Sequence, residues 1–79
     1  MRTREAIVKQ ITEIAHANAI FAVDNLNSRE YRDARGRCTA IDSHAQNVLD
    51  TLLEQGLVGC DREALAMYYG KVAELLNGV

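Results

Sequence analysis

A run of small and apolar side chains recurs at alternating steps of three and four residues through the middle of this chain. The run, named here the central seam, consists of Tyr31, Ala34, Cys38, Ile41, Ala45, Val48 and Leu52. Steps of three and four keep side chains on one face of an α-helix, whereas a strand needs steps of two. The pattern therefore predicts a long central helix that packs along a narrow seam, as antiparallel helix pairs do.

We predict that the central helix covers residues 28–55. Asn27 is a good N-cap, and Glu30 follows three residues later in a capping-box pattern. Gly36 costs about 1 kcal/mol relative to Ala inside a helix. The seam nevertheless keeps its phase across Gly36, which favours one continuous helix over two short ones separated at that residue.

A first helix is predicted over residues 3–23. Thr3 can cap its N-terminus, and Glu5 places a negative charge in the first turn, where the helix dipole favours it. Residues 24–28 are poor helix formers and predict a turn. The apolar stripe of this helix contains Ile7, Ile11, Ile14 and Phe21, widened by Ala15, Ala17, Ile20 and Ala22.

A third helix is predicted over residues 61–77, capped by Asp61, after a loop in which Gly56 ends the central helix in the left-handed conformation. Its inward face contains Leu65, Tyr68, Val72, Leu75 and Val79. The chain contains no proline and no alternating β-branched run. These features predict an all-α fold, a small antiparallel three-helix bundle with a long central helix in a single domain.

The size of the chain favours self-association. A chain of 79 residues buries only about 60% of the surface that its unfolded form exposes. The predicted central helix is longer than the third, so part of the central seam would lack cover in one copy. We therefore predict a homodimer whose oligomer seam contains Asn18, Tyr31, Cys38, Ile41 and Val48. Asn18 would fix the register, or it lies at the water-exposed edge of the stripe.

Charge is distributed unevenly. Residues 1–38 contain seven Arg or Lys and five Asp or Glu, whereas residues 39–79 contain two and six. No apolar run approaches the length of roughly 18–20 residues that a membrane span needs. The chain has only two cysteines. We expect a cytoplasmic protein that does not enter a membrane.

The sequence offers no pattern typical of catalysis. The residues His16, His44, Cys38 and Cys60 show none of the spacings of a metal site. Ser43 and His44 are adjacent, so on a helix they point about 100° apart and cannot form a nucleophile–base pair. We therefore expect no enzymatic activity, no cofactor and no metal.

The basic cluster at the start of the central helix is the strongest local feature. It consists of Arg29, Arg32, Arg35 and Arg37, interleaved with Glu30 and Asp33. These side chains can form a solvated surface with local ion pairs, a protein-binding patch, or a phosphate-binding face. Tyr69 adjoins the inward Tyr68 and points elsewhere, so it is either a core-edge residue or an interface residue.

We predict a non-catalytic module that acts by occupying the surface of a partner protein through Arg29, Arg32, Arg35, Arg37 and Tyr69. Such small helical proteins include inhibitors and phage-encoded modulators of host or defence machinery. One alternative is a nucleic-acid-binding regulator that uses the same arginines, which the negative net charge of −2 disfavours. The other is a structural oligomerisation unit.

Overall fold

The structure, a computed structural model, describes residues 3–26 and 34–77. These residues form three α-helices, α1 (Arg4–Asn25), α2 (Ala34–Glu54) and α3 (Asp61–Asn77), without any strand. All three helices contact one another, and the all-α three-helix bundle predicted from the sequence is confirmed. None of the helices in these ranges combines the length and the apolar character needed to cross a bilayer.

Helices α1 and α2 run antiparallel. At one end of the pair, Asn25 Nδ2 lies 2.9 Å from His44 Nε2. At the other end, the side-chain amide of Gln10 donates a hydrogen bond to that of Gln55. The late part of α1 therefore lies beside the early part of α2, and the reverse holds at the opposite end.

Helices α1 and α3 run parallel. Their N-terminal turns meet where Arg4 and Glu63 form an ion pair of 3.4 Å, and farther along the Thr12 hydroxyl lies 3.3 Å from Met67 Sδ. Because α2 returns between them in sequence, the bundle has an up-down-up order. Short connections produce this arrangement in small helical domains.

Helix α1 begins as predicted and ends later. The Thr3 hydroxyl accepts a hydrogen bond of 3.1 Å from the Ala6 backbone N–H, so Thr3 is the N-cap. The helix continues to Asn25, two residues beyond the predicted end at residue 23. Contacts with the other helices outweigh the low helix propensity of Asp24 and Asn25.

The buried face of α1 differs from the predicted stripe. Four fully buried residues mark its centre: Ile11, Ala15, Ala19 and Ala22. Phe21 is 61% exposed and Ile20 is also exposed, so the prediction that Phe21 packs inward is wrong. Ile14 lies about 60° to one side of Ile11, and the seven-residue step to Phe21 adds about 20° to the same side, so Phe21 lies about 80° from Ile11. The small alanines at the centre let α1 approach its neighbours closely.

Helix α2 is continuous through Gly36, as the phase of the seam predicted. The predicted start at residue 28 lies outside the described residues, together with Tyr31, and nothing is described of the Ala34 side chain. From Ile41 onward the seam faces the core: Ala45, Val48 and Leu52 are buried and Ile41 is half-buried. Cys38 does not pack in the core of its own chain, because its side chain is exposed near the beginning of α2, before the buried part of the seam. Its place in the oligomer seam stays a prediction.

The burial of Val48 also corrects the predicted oligomer seam. Val48 has no exposed surface within a single copy of the chain, where it belongs to the core shared by the three helices. It is therefore unavailable to a second copy. From residue 41 to residue 52 the buried face of α2 is already covered by α1 and α3, so this part of the helix does not need a dimer.

The end of α2 forms a Schellman motif, as Gly56 predicted. Gly56 has φ of 70°. Its N–H donates to the Leu53 carbonyl oxygen over 3.2 Å, and the Leu57 N–H donates to the Leu52 carbonyl oxygen over 2.9 Å. Leu57 and Leu52 are both buried, which supplies the apolar contact that accompanies this motif.

Helix α3 begins one residue earlier than a cap at Asp61 implied. The Cys60 carbonyl oxygen accepts a hydrogen bond of 2.9 Å from the Ala64 N–H, so Cys60 occupies the N-cap position. Asp61 is the first helical residue, and with Glu63 it places negative charge in the first turn.

Candidate docking site

Two strongly exposed aliphatic residues lie where α2 ends and the following turn begins. Leu53 is 76% exposed and Val58 is 86% exposed. Each directly follows a buried leucine, Leu52 or Leu57. Leu52 and Leu53 are successive residues of α2 and therefore point about 100° apart. Leu57 and Val58 belong to the turn that the Schellman motif begins at Gly56.

A cleft of about 250 Å³ opens beside these two residues. We call it the α2–α3 cleft, and it is lined by Gln46, Leu49, Asp50, Leu53, Leu57, Val58, Gly59 and Asp61. Leu57 is buried and Leu49 is half-buried, so the inner part of the cleft is apolar. Gly59 has φ of 87°, a conformation that glycine adopts without strain and that sets the direction of the chain into α3.

The α2–α3 cleft is acidic. Asp50 and Asp61 are the only charged residues in its lining. Gln46 Nε2 donates a hydrogen bond of 3.0 Å to Asp50 Oδ1, which orients that carboxylate. The ion pairs of the described residues involve Glu63 and Glu74, so neither cleft aspartate is neutralised by a cation there.

Tyr69, predicted to bind a partner, lies on the same side of α2 as the cleft residues. It is 43% exposed, and its hydroxyl donates a long hydrogen bond of 3.5 Å to Asp42 Oδ1. Asp42, Gln46 and Asp50 follow one another at steps of four along α2, so they share one helical face. Desolvation raises the pKa of Tyr69, and the Asp42 carboxylate adds to this effect.

The ring of Tyr69 is positioned by Tyr68. The two ring centroids are 5.0 Å apart with an interplanar angle of 72°, an edge-to-face arrangement. Tyr68 is fully buried, and its hydroxyl donates a hydrogen bond of 2.5 Å to the Ile41 carbonyl oxygen. This contact fixes the early part of α2 against α3 and holds Tyr69 at the edge of the interhelical surface.

The structure describes only part of the predicted basic cluster. Arg37 is exposed on α2. Arg35 belongs to α2, but its side chain is outside the described part of the chain, and Arg29 and Arg32 lie in the undescribed range. Arg37 does not line the α2–α3 cleft.

Asn18, predicted in the oligomer seam, is half-buried in α1. Its side-chain amide donates a hydrogen bond of 2.9 Å to the Ile14 carbonyl oxygen one turn earlier. The amide N–H is thus used within its own helix. Ile41, another predicted seam residue, packs against the core of its own chain.

Sequence reasoning missed the pairing of Asn25 with His44. The Asn25 amide nitrogen Nδ2 lies 2.9 Å from His44 Nε2, within hydrogen-bonding distance. His44 Nδ1 is buried and has no hydrogen-bond partner among the described residues. Nineteen residues separate the two side chains, and only the antiparallel packing of α1 and α2 brings them together.

Residues 3–26 and 34–77 contain no group of three His, Cys, Asp or Glu side chains arranged to hold a metal ion. Cys38 is exposed and Cys60 is half-buried, and neither is in a disulfide. No family model, curated protein or solved structure matches the chain.

Proposed function

We propose that this chain is a small, non-catalytic protein-binding module that acts by occupying the surface of a partner protein. The observation that carries the proposal is the pairing of Leu53 and Val58 at the mouth of an acidic cleft. Single exposed apolar residues are ordinary on protein surfaces, but adjacent ones beside a concavity are typical of interaction sites.

The position of these residues supports a docking role. Val58 lies in a short turn that connects α2 to α3, and the backbone hydrogen bonds of the preceding Gly56 and Leu57 hold that turn against the end of α2. A restrained anchor loses little conformational entropy on binding, which favours affinity. Tyr69 adds an amphipathic ring farther along the same surface.

The mechanism that follows is steric. When a partner binds over Leu53 and Val58, the surface that it uses for this contact is blocked for other molecules. The acidic side chains of the cleft would favour a partner surface that carries positive charge. No catalytic step is involved.

Site-specific photo-crosslinking in the native host tests the proposal. A photoreactive benzoylphenylalanine at position 58 is compared with the same group at position 17. Ala17 is exposed on α1 and does not line the cleft. We expect position 58 to yield a discrete crosslinked protein and position 17 to yield none.

The variant Leu53→Ser tests whether this side chain contributes to the affinity for the captured partner. Because Leu53 is exposed, the fold should persist, as circular dichroism would verify. Truncating an interface anchor costs about 2 kcal/mol or more, which weakens binding roughly thirtyfold. Equal crosslinking at both positions, or crosslinks only to nucleic acid or to copies of the chain itself, would contradict the proposal.

A further inference from the structure

The size of the α2–α3 cleft limits what can enter it. Its volume of about 250 Å³ is below the range of roughly 300–1,000 Å³ that is typical of small-molecule sites. A cleft of this size accommodates one or two side chains of a partner rather than a complete organic ligand. Its occupant is therefore defined by side-chain chemistry.

The apolar lining specifies the first of these side chains. Leu57 and Leu49 form the inner part, and the exposed Leu53 and Val58 extend the apolar surface outward. All four are aliphatic, and the lining contains no aromatic residue. An aliphatic side chain that enters here removes apolar surface from water on both partners.

The charged residues of the lining specify the second side chain of the partner. Asp50 and Asp61 line the same cleft, and no Lys or Arg is among its lining residues. Neither carboxylate forms an ion pair within residues 3–26 and 34–77. Two such carboxylates beside an apolar pocket attract a cation and repel an acidic segment.

We propose that the α2–α3 cleft binds a partner segment that presents an aliphatic side chain together with a nearby Arg or Lys. The aliphatic group packs against Leu49, Leu53 and Val58, and the cation pairs with Asp50 and Asp61. The inference rests on the proposed function and names the chemistry of the partner's contacting segment. An arginine suits the site best, because its planar guanidinium can hydrogen-bond to carboxylates in a bidentate manner.

Nuclear magnetic resonance with a defined peptide tests this chemistry. The probe is a short helix-forming peptide of alanine and glutamine that carries one leucine and one arginine four residues apart, on the same face. It is titrated into the isotopically labelled full chain. We expect backbone amide shifts that cluster between residues 46 and 61, with a Kd of about 1 mM.

Matched peptides and variants separate the two contributions. Replacing the peptide arginine with glutamine, or using the double variant Asp50→Asn and Asp61→Asn, should weaken binding about tenfold, since a charged hydrogen bond is lost. Replacing the peptide arginine with glutamate should abolish the shifts. The control Asp24→Asn changes an exposed α1 carboxylate that does not line the cleft, and it should leave binding unchanged.

Several outcomes would overturn the inference: no clustered shifts with the leucine–arginine peptide, equal binding of the glutamate peptide, or insensitivity to the double variant and to added salt. Cleft shifts that depend on protein concentration without peptide would assign the site to a second copy instead. If a partner is captured at position 58 and Asp50→Asn does not change its affinity, this inference is refuted and the proposed function is not. Peptide binding without any captured partner would count against the proposed function instead.

Discussion

The Tyr68 hydroxyl donates a hydrogen bond of 2.5 Å to the backbone carbonyl oxygen of Ile41, which connects α3 to α2 at a buried position. Ile41 lies inside α2, so its carbonyl oxygen is also in reach of the helix's own N–H groups. The tyrosine therefore satisfies its own hydroxyl and adds an interhelical contact, while the carbonyl does not depend on it.

Tyr68→Phe should lower the free energy of unfolding by about 1 kcal/mol, the usual net value of one hydrogen bond. The Ile41 carbonyl retains its position in the helix, so no buried acceptor is left without a partner. Urea denaturation followed by circular dichroism measures the change. Tyr69→Phe is the control, and a loss as large as that of Tyr68→Phe would contradict this account.

Stability should fall at alkaline pH because of Tyr68. Desolvation by burial, with smaller contributions from Tyr69 and Asp42, raises the pKa of Tyr68 from 10.0 to about 12. Above pH 10 the unfolded chain loses this proton while the folded chain keeps it. The stabilisation is therefore complete below pH 10 and is lost as the pH rises to about 12.

Denaturation midpoints at neutral pH and near pH 11 measure this dependence. Tyr68→Phe, which has no proton to lose, should show a smaller decline than the unaltered chain. Parallel pH profiles for the two proteins would show that other groups cause the decline.

Two glycines should respond in opposite directions to alanine. Gly56 has φ of 70°, so Gly56→Ala places a side chain in the left-handed region and should cost about 1 kcal/mol. Gly70 lies inside α3, and a Cβ there would meet nothing within 4 Å. Gly70→Ala should stabilise the chain by about 0.5–1 kcal/mol. Thermal unfolding of both variants checks the signs, and a shift of the same sign in both would refute the prediction.

Truncations on the two sides of α1 should differ sharply. Ile11→Ala removes a fully buried side chain and should cost about 2–5 kcal/mol. Phe21→Ala removes a larger side chain that is mostly exposed, and its effect should stay within about 0.5 kcal/mol. Chemical denaturation measures both losses in the free energy of unfolding. Equal losses for Phe21→Ala and Ile11→Ala would mean that α1 presents a different face to the core.

Val48→Ala should destabilise a single copy of the chain by about 2 kcal/mol, because the lost methyl groups are fully buried there. The unaltered chain and the variant should show the same dependence of the unfolding midpoint on protein concentration. Were Val48 instead part of an interface between two copies, the substitution would weaken self-association and change that dependence. Sedimentation at micromolar concentration tests the predicted homodimer itself.

Local features of the chain were enough to predict the elements of the fold. Helical periodicity, the absence of proline, the Thr3 cap and the glycine at position 56 act over a few residues, so they could be read from the chain directly. The inward positions of α2 from Ile41 to Leu52 were also predictable, because residues that follow one another at steps of three and four all lie on one face of a helix.

Tertiary packing determines which side of α1 faces the other helices. Alanines occupy that side and Phe21 does not, because helices that pack closely favour small residues between them. It also decided that Cys38 lies outside the core and that Asn25 meets His44. The α2–α3 cleft likewise depends on how the turn after Gly56 sets α3 against α2. Local propensities select a helix, but its rotation and the spaces between helices arise only when distant side chains compete for the same volume.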